Sequence, residues 1–401
     1  MGVDETVAAK GGTPLEVLAT FIRLGCTSFG GPVAHLGYFR AELVERRRWV
    51  DEPTFADLLA LCQFLPGPAS SQLGIALGTA RAGVIGGMMA WLGFILPSAL
   101  ILTLFALGLN LFGTTTDAGW LRGLQIVAVA VVAQAVWGMA KSLAPDRPRG
   151  TMALAAAIVL LLWPTAFTQI ALIILGGVVG WRWLRVATTT TMVELPFGVP
   201  RLLSWISGGL LLAGLIGLPA VAATTGNQAL VLGNAFFRAG SLVFGGGHVV
   251  LPLLEQDVVG PGWVSPEQFT AGYGAAQAVP GPLFTFAAYL GAIRTPAPNG
   301  VVGAAIALIA IFLPSFLLIW AVLPLWGRLR SRASAQAALR GINAVVVGIL
   351  LAALYQPVIT SSIHTPSDLA LALVAFAALH LWRVPPWIVV VLSALAAPLI
   401  G

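Results

Sequence analysis

The chain has 401 residues, 58% of them hydrophobic and 9% charged, with a formal net charge of +6 and a mean hydropathy of +0.93. A soluble domain carries roughly a quarter charged residues, so this balance excludes one and marks a polytopic membrane protein. The positive excess rests on arginines clustered in loops, which suits anionic membrane lipid as a partner and argues against nucleic acid.

Residues 1–13 are polar and mixed in charge, with no basic flank feeding an apolar core. No cleavable signal is expected there, and the segment reads as a cytoplasmic tail. The first apolar stretch contains Arg23-Leu-Gly-Cys-Thr-Ser-Phe29-Gly30-Gly31. A guanidinium in a bilayer segment is costly enough to be read as functional by default. The connection that follows, residues 40–49, holds Arg40, Arg46, Arg47 and Arg48, so the positive-inside rule puts it in the cytoplasm. Gln63 then leads into Pro66-Gly67-Pro68, which stops one half-helix and starts another, because proline at a first helical position forfeits no intrahelical bond. The new half-helix opens with Ala69-Ser70-Ser71-Gln72. Runs at 85–112 and 121–140 are long enough to span a bilayer, whereas 152–163 and 167–179 are shorter, and 202–223 reads as one lone crossing.

Beyond that crossing the pattern returns. Arg23 to Gly31 recurs as Arg238-Ala-Gly-Ser-Leu-Val-Phe244-Gly245-Gly246, at an offset of 215. Trp49, Phe55, Gln63, Pro66-Gly67-Pro68, Arg81 and Leu96-Pro97-Ser98 recur as Trp263, Phe269, Gln277, Pro280-Gly281-Pro282, Arg294 and Leu313-Pro314-Ser315. Rare residues in the same order with small slips in spacing are what a duplication leaves. The expected organisation is therefore a tail at 1–13, a first repeat at 14–186, a linker with one crossing at 187–228 and a second repeat at 229–401. Spans are expected again at 301–325 and from 342 onward. The second copy of the basic connection, 255–263, has no Lys or Arg, so it should face outward. The fold class that follows is an all-α polytopic membrane protein of two inverted-topology repeats with Gly/Pro-broken and re-entrant half-helices.

Such repeats are a transporter architecture, with the substrate site near the midplane where the copies meet. No Gly-x-Ser-x-Gly elbow, P-loop or His-x-x-x-His pair points to an enzyme. Cys26 and Cys62 lie outside any metal-ligand spacing and read as small buried residues, so neither metal nor cofactor is implied. The chemistry suits an anion. Arg23 and Arg238 supply charge, Gly30, Gly31, Gly67, Gly245, Gly246 and Gly281 supply unblocked backbone N–H, and Gln63, Ser70, Ser71, Gln277 and Thr285 supply further polar groups. Each has a plainer alternative. Arg23 could pair with Glu16 or Asp57 and Arg238 with Glu255 or Glu267, the glycines could serve only close helix packing, and the glutamines could tie helices together. Arg81 and Arg294 read better as boundary anchors. Candidates for proton coupling are His35, Asp57, His248 and Glu267, although His35 and His248 do not align between the copies.

At these residues the chain closely resembles the chromate ion transporter family in its long form of two fused domains. The marks are Phe-Ile-Arg23-Leu-Gly-x-x-Ser-Phe29-Gly-Gly-Pro, Leu-Cys-Gln63-Phe-Leu-Pro66-Gly-Pro68 and Phe-Ile-Leu-Pro97-Ser in the first domain. The second domain has Phe-Gly-Gly-Gly-His248 and Gln277-Ala-Val-Pro280-Gly-Pro282. The resemblance implies efflux of chromate from the bacterial cytoplasm across the inner membrane, powered by the proton-motive force, with resistance as the outcome. The partners it implies are chromate or a sulfate-like oxyanion and membrane lipid, with a homodimer left open. Transport of sulfate or another oxyanion is the alternative, and a membrane enzyme acting on lipid phosphate a more distant one.

Overall fold

Capping residues and prolines set most helix starts. In the computed structural model, which describes residues 11–29, 31–112, 119–184, 199–244, 249–326 and 332–400, Thr13, Asp51, Asp146, Thr165, Ser265 and Thr365 each accept a backbone N–H of the first turn through the side chain. The helices of the first repeat are α1 (Pro14–Thr27), α2 (Gly31–Phe39), α3 (Glu52–Phe64), α4 (Ala69–Phe112), α5 (Gly119–Leu143), α6 (Arg147–Leu162) and α7 (Ala166–Trp183). A lone helix, α8 (Arg201–Thr225), leads to α9 (Gln228–Leu242), α10 (Val250–Val258), α11 (Pro266–Ala278), α12 (Phe286–Ile293) and α13 (Gly300–Val322). The chain ends in α14 (Ala333–Ala353), α15 (Pro366–His380) and α16 (Pro386–Ile400). Among the described residues there is no strand, and five helical stretches are long and apolar enough to cross a membrane.

Helix α4 is a hairpin, not a rod. Its backbone leaves helical geometry at Ala82 and at Gly83, where φ is 68° and ψ is −163°, a conformation that glycine adopts without a Cβ penalty. The chain then doubles back so closely that a Cβ on Gly86 would stand 2.2 Å from the Gly78 carbonyl oxygen. The same contact recurs between α12 and α13, where a Cβ on Gly303 would stand 2.0 Å from the Gly291 carbonyl. Each repeat therefore opens with two re-entrant pairs, α1 with α2 and α3 with the 69–81 arm of α4, then α9 with α10 and α11 with α12.

The outer ends of each set of hairpins gather on an arginine and a tryptophan. At the base of the first repeat Arg81 pairs with Glu16 at 3.2 Å, stacks 5.4 Å from the Trp49 ring and accepts the Gly12 N–H at its carbonyl. At the base of the second, Arg294 stacks 4.1 Å from Trp263 and donates to the Gln228 carbonyl and side-chain oxygens.

These bases lie at opposite ends of the molecule. The 84–112 arm of α4 leaves the first base, passes Ser98 beside Gly281, and reaches Leu107 beside Gly300 at the second base. Conversely, α13 leaves Gly300, passes Ser315 beside Gly67, and ends with Trp320 donating to Thr79, while Trp326, just past its end, donates to Asp57 near the first base. Two helices that each run from one base to the other, touching the opposite copy's tip midway, require copies pointing in opposite directions.

The remaining helices are exchanged between repeats. A Cβ on Gly123 of α5 would meet the Ser393 carbonyl of α16 at 2.4 Å, and one on Gly341 of α14 would meet the Gly176 carbonyl of α7 at 2.0 Å. Close backbone approach of this kind is how apolar helices associate where no hydrophobic drive separates them from lipid. Arg122 of α5 completes the joint by pairing with Asp368 at 2.7 Å at the start of α15. Of the two cysteines, Cys62 is buried as expected, but Cys26 lies on the exposed face of α1.

Candidate functional site

The tips of the re-entrant pairs meet in the middle through reciprocal hydrogen bonds. Gly67, in the first Pro-Gly-Pro, donates its N–H to the Val243 carbonyl at 2.6 Å, and Gly281, in the second, donates to the Ser28 carbonyl at 2.9 Å. Ser28 and Val243 occupy equivalent places in the two copies, so one contact is made twice across an approximate two-fold axis. Both glycines hold positive φ, 121° at Gly67 and 108° at Gly281. Only glycine sits there without strain, and the prolines on either side fix the neighbouring turns.

Around this junction the polar groups are buried and underused. Ser28, Ser70, Ser71, Gln72, Ser98, Thr285 and Ser315 are all nearly inaccessible. Of these, Ser28 Oγ, Ser71 Oγ, Gln72 Oε1 and Ser315 Oγ make no hydrogen bond within the protein, and neither does Gln277 Nε2. A buried donor left unmade costs about 1–3 kcal/mol, so such a cluster is a place prepared for a polar guest. The first turn of the 69–81 arm adds N–H groups without intrahelical acceptors and the positive end of the helix dipole. The opposing α12 begins at the same junction through a short turn, Leu283–Thr285. Other members are already satisfied. Gln72 Nε2 donates to the Pro66 carbonyl, Ser98 Oγ to the Ile95 carbonyl and Thr285 Oγ1 to the Pro282 carbonyl.

The expected site residues are distributed unevenly. Gly67, Ser70, Ser71, Gly281 and Thr285 come together at the junction. His35 joins them, with Nδ1 3.3 Å from Ser70 Oγ and its ring edge-on to Phe94. Gly31 has a φ of 75° at the break between α1 and α2. Gln277 turns its Nε2 into the interior, whereas Gln63 is exposed on α3. Arg23 lies exposed on α1, and no carboxylate among the described residues pairs with it. Arg238 is half-buried and paired with Asp257 of α10, a different acid from the two weighed in the sequence. Asp57 is buried and accepts from Trp326. Glu267 stands near the second base, where its carbonyl accepts from Gln125. Gly30, Gly245, Gly246 and His248 lie outside the described residues.

Three features escaped the sequence reading. Ser28 and the serines of the two Leu-Pro-Ser motifs belong to the junction. The repetition of Leu-Pro-Ser was visible, but a proline-serine pair inside an apolar run looks like a helix kink until the opposite tip is seen against it. Leu121-Arg122-Gly123 also recurs as Leu339-Arg340-Gly341, and marks the exchanged hairpins.

A family model described as Chromate transporter matches the chain twice, over residues 15–181 and 230–398. A chromate transport protein of Pseudomonas aeruginosa is 30% identical over 96% of this chain and 91% of its own length. One of Cupriavidus metallidurans is 28% identical over 91% of this chain and 87% of its own. An uncharacterized transporter of Methanocaldococcus jannaschii is 24% identical over 84% of this chain and 83% of its own. No solved structure matches the chain.

Proposed function

The chain belongs to the chromate transporter family, and from that premise we propose that it exports chromate from the bacterial cytoplasm across the inner membrane. Export proceeds by alternating access and uses the proton-motive force, with chromate resistance as the result. The observation that carries this reading is the junction of the two Pro-Gly-Pro tips. There, unpartnered hydroxyl and amide groups from both copies face a helix start. Their donors suit the oxygens of a tetrahedral dianion, and an uncharged cage can release its guest, as transport requires.

The basic connection at 40–49 puts the first base in the cytoplasm. Arg23 then stands on the cytoplasmic approach with no carboxylate among the described residues paired to it, while Arg238, at the equivalent place on the far side, has its charge met by Asp257. That difference favours capture inside and release outside. A dianion leaving a negative interior also gains about 2.3 kcal/mol per charge per 100 mV. Of the coupling candidates within the described residues, His35 is the one touching the junction, so a proton on its ring would be felt by the bound anion.

Chromate flux in proteoliposomes, with membrane potential and pH gradient imposed separately, tests the reading. Wild-type protein should carry saturable chromate flux, and Gly67→Ala and Gly281→Ala should abolish it without preventing insertion. Normal flux in both variants would remove the junction as the site. Saturable sulfate flux with chromate flux absent would change the cargo.

A further inference from the structure

The two copies match at their tips but not along their flanks. On α11, Thr270, Gly274 and Gln277 form one helix face that packs inward. Thr270 Oγ1 lies 2.8 Å from Ser361 Oγ, and a Cβ on Gly274 would stand 2.1 Å from the Leu124 carbonyl of α5. One turn away, Gln125 Nε2 donates to the Glu267 carbonyl. The equivalent face of α3 is Ala56, Ala60 and Gln63, and all three are exposed. Its natural counterpart surface exists, because Leu124-Gln125 of α5 corresponds to Ile342-Asn343 of α14, yet α3 makes no packing with α14 like that of α11 on α5. The neighbouring hairpins repeat the difference. Pro252 and Leu253 of α10 are buried, while Gly37 and Tyr38, their equivalents on α2, are exposed.

We propose that this is the state open to the cytoplasm, and that the outward-open state forms when the Ala56–Ala60–Gln63 face of α3 docks on Ile342 and Asn343 of α14 while α11 leaves α5. This inference rests on the alternating-access reading above and deepens it by naming the gate. Inverted copies make the second state by exchanging the conformations of their halves, so the closed outer contact is a template for the inner one. In the exchanged state Ala60 approaches the Ile342 carbonyl as Gly274 now approaches that of Leu124, and Asn343 reaches the Pro53 carbonyl as Gln125 now reaches that of Glu267. The two closures are unequal. Ala60 carries a methyl where Gly274 has none, so α3 docks less closely, and the cytoplasm-open form is favoured at rest.

Paired cysteines read this directly, in a background with Cys26→Ser and Cys62→Ala. Thr270→Cys with Ser361→Cys should form a disulfide in resting vesicles. Ala60→Cys with Ile342→Cys should form one more slowly, within a single chain, and stop flux until reduced. The two bridges should exclude each other in the fourfold variant. Single Ala56→Cys and Ala60→Cys should react with a membrane-impermeant maleimide from the cytoplasmic side only, and the Ala56 variant serves if the Ala60 variant does not fold. The gate is overturned if the 60–342 bridge never forms while Ala56→Cys or Ala60→Cys is labelled. It is also overturned if position 60 cross-links to a second copy of the chain, or if both bridges coexist. Because bridge formation and maleimide labelling need no chromate, mutually exclusive bridges with no chromate flux would sink the cargo and leave the gate standing.

Discussion

Arg81 and Arg294 occupy the same place in the two copies and close the same hairpin, yet they are held by different chemistry. Arg81 keeps a carboxylate, Glu16, and a looser stack on Trp49. Arg294 is 1% exposed, sits against Trp263 and, among the described residues, donates to the neutral oxygens of Gln228. What the copies share is the arginine-tryptophan stack and the glycine contacts beneath it. The ion pair is a local addition where water is near, and in the drier copy a neutral carbonyl and amide replace the carboxylate. The duplication thus preserved the hairpin and its tip, while the flanks became free to differ.

The strongest way to break that comparison is to part the hairpins themselves. Gly86→Ala and Gly303→Ala put a methyl within 2.2 and 2.0 Å of a backbone oxygen that cannot step aside. Overpacking of this kind costs about 1–3 kcal/mol and sometimes more. Both variants should lower the thermal midpoint in detergent and the yield of inserted protein to a similar degree. A large loss in one copy with none in the other would mean that the shared contact is not what holds the hairpins.

On the helices that pass the tips, the two equivalent serines are held differently, and the next test exploits this. Ser315 Oγ has no partner within the protein, whereas its equivalent, Ser98, spends its hydroxyl on the Ile95 carbonyl. A hydrogen bond to a charged guest is worth about 1.5–3 kcal/mol. Ser315→Ala should therefore raise the half-saturating chromate concentration roughly ten- to a hundredfold, and Ser98→Ala should change it little. Equal effects would place the guest on the axis instead of toward Ser315. In the bases, Arg294→Lys should cost about 2 kcal/mol, because lysine has neither the planar fork nor the face that stacks on a ring. Arg81→Lys should cost under about 1 kcal/mol, since Glu16 still finds a cation in a site open to water. Unfolding of the two variants at low and high salt separates these outcomes, with salt dependence expected of the Arg81 pair alone.

Much of this was legible in the sequence because the informative residues are rare ones. Pro66-Gly67-Pro68 and Pro280-Gly281-Pro282 announced the tips, and loop charge announced the inversion that α4 and α13 then display. The turn at Ala82-Gly83 was half legible: Arg81 as a boundary anchor and a span starting at 85 marked a break there, but hydropathy registers composition, not the direction in which the chain leaves it. The settings of the arginines were not legible. Helical spacing says that Arg238 lies in an apolar helix, but whether it meets Asp257, Glu255 or a substrate depends on how α10 packs against α9. Nor was the unequal setting of Gln63, exposed on α3, and Gln277, half-buried on α11, legible, since equivalent residues in the two copies read alike in sequence.

The smallest test concerns the starts of α3 and α11, which solve one problem in two ways. Asp51 caps α3 by accepting the Thr54 N–H at 3.0 Å. Ser265 caps α11 and is itself held by Gln268, whose side chain accepts the Ser265 N–H at 3.1 Å. The box satisfies two orphan N–H groups where the aspartate satisfies one, but the aspartate adds a negative charge at the positive end of the helix. Loss of a capping side chain costs about 1 kcal/mol. Asp51→Ala should therefore destabilise more at low salt than at high salt, and Ser265→Ala equally at both. Because α11 is docked on α5 and the exposed face of α3 is not, part of the Ser265→Ala loss should be masked by that packing in the resting state. It should emerge when the outer contact is opened. A Ser265→Ala variant as destabilised at rest as Asp51→Ala would show that α11 gains nothing from its neighbour.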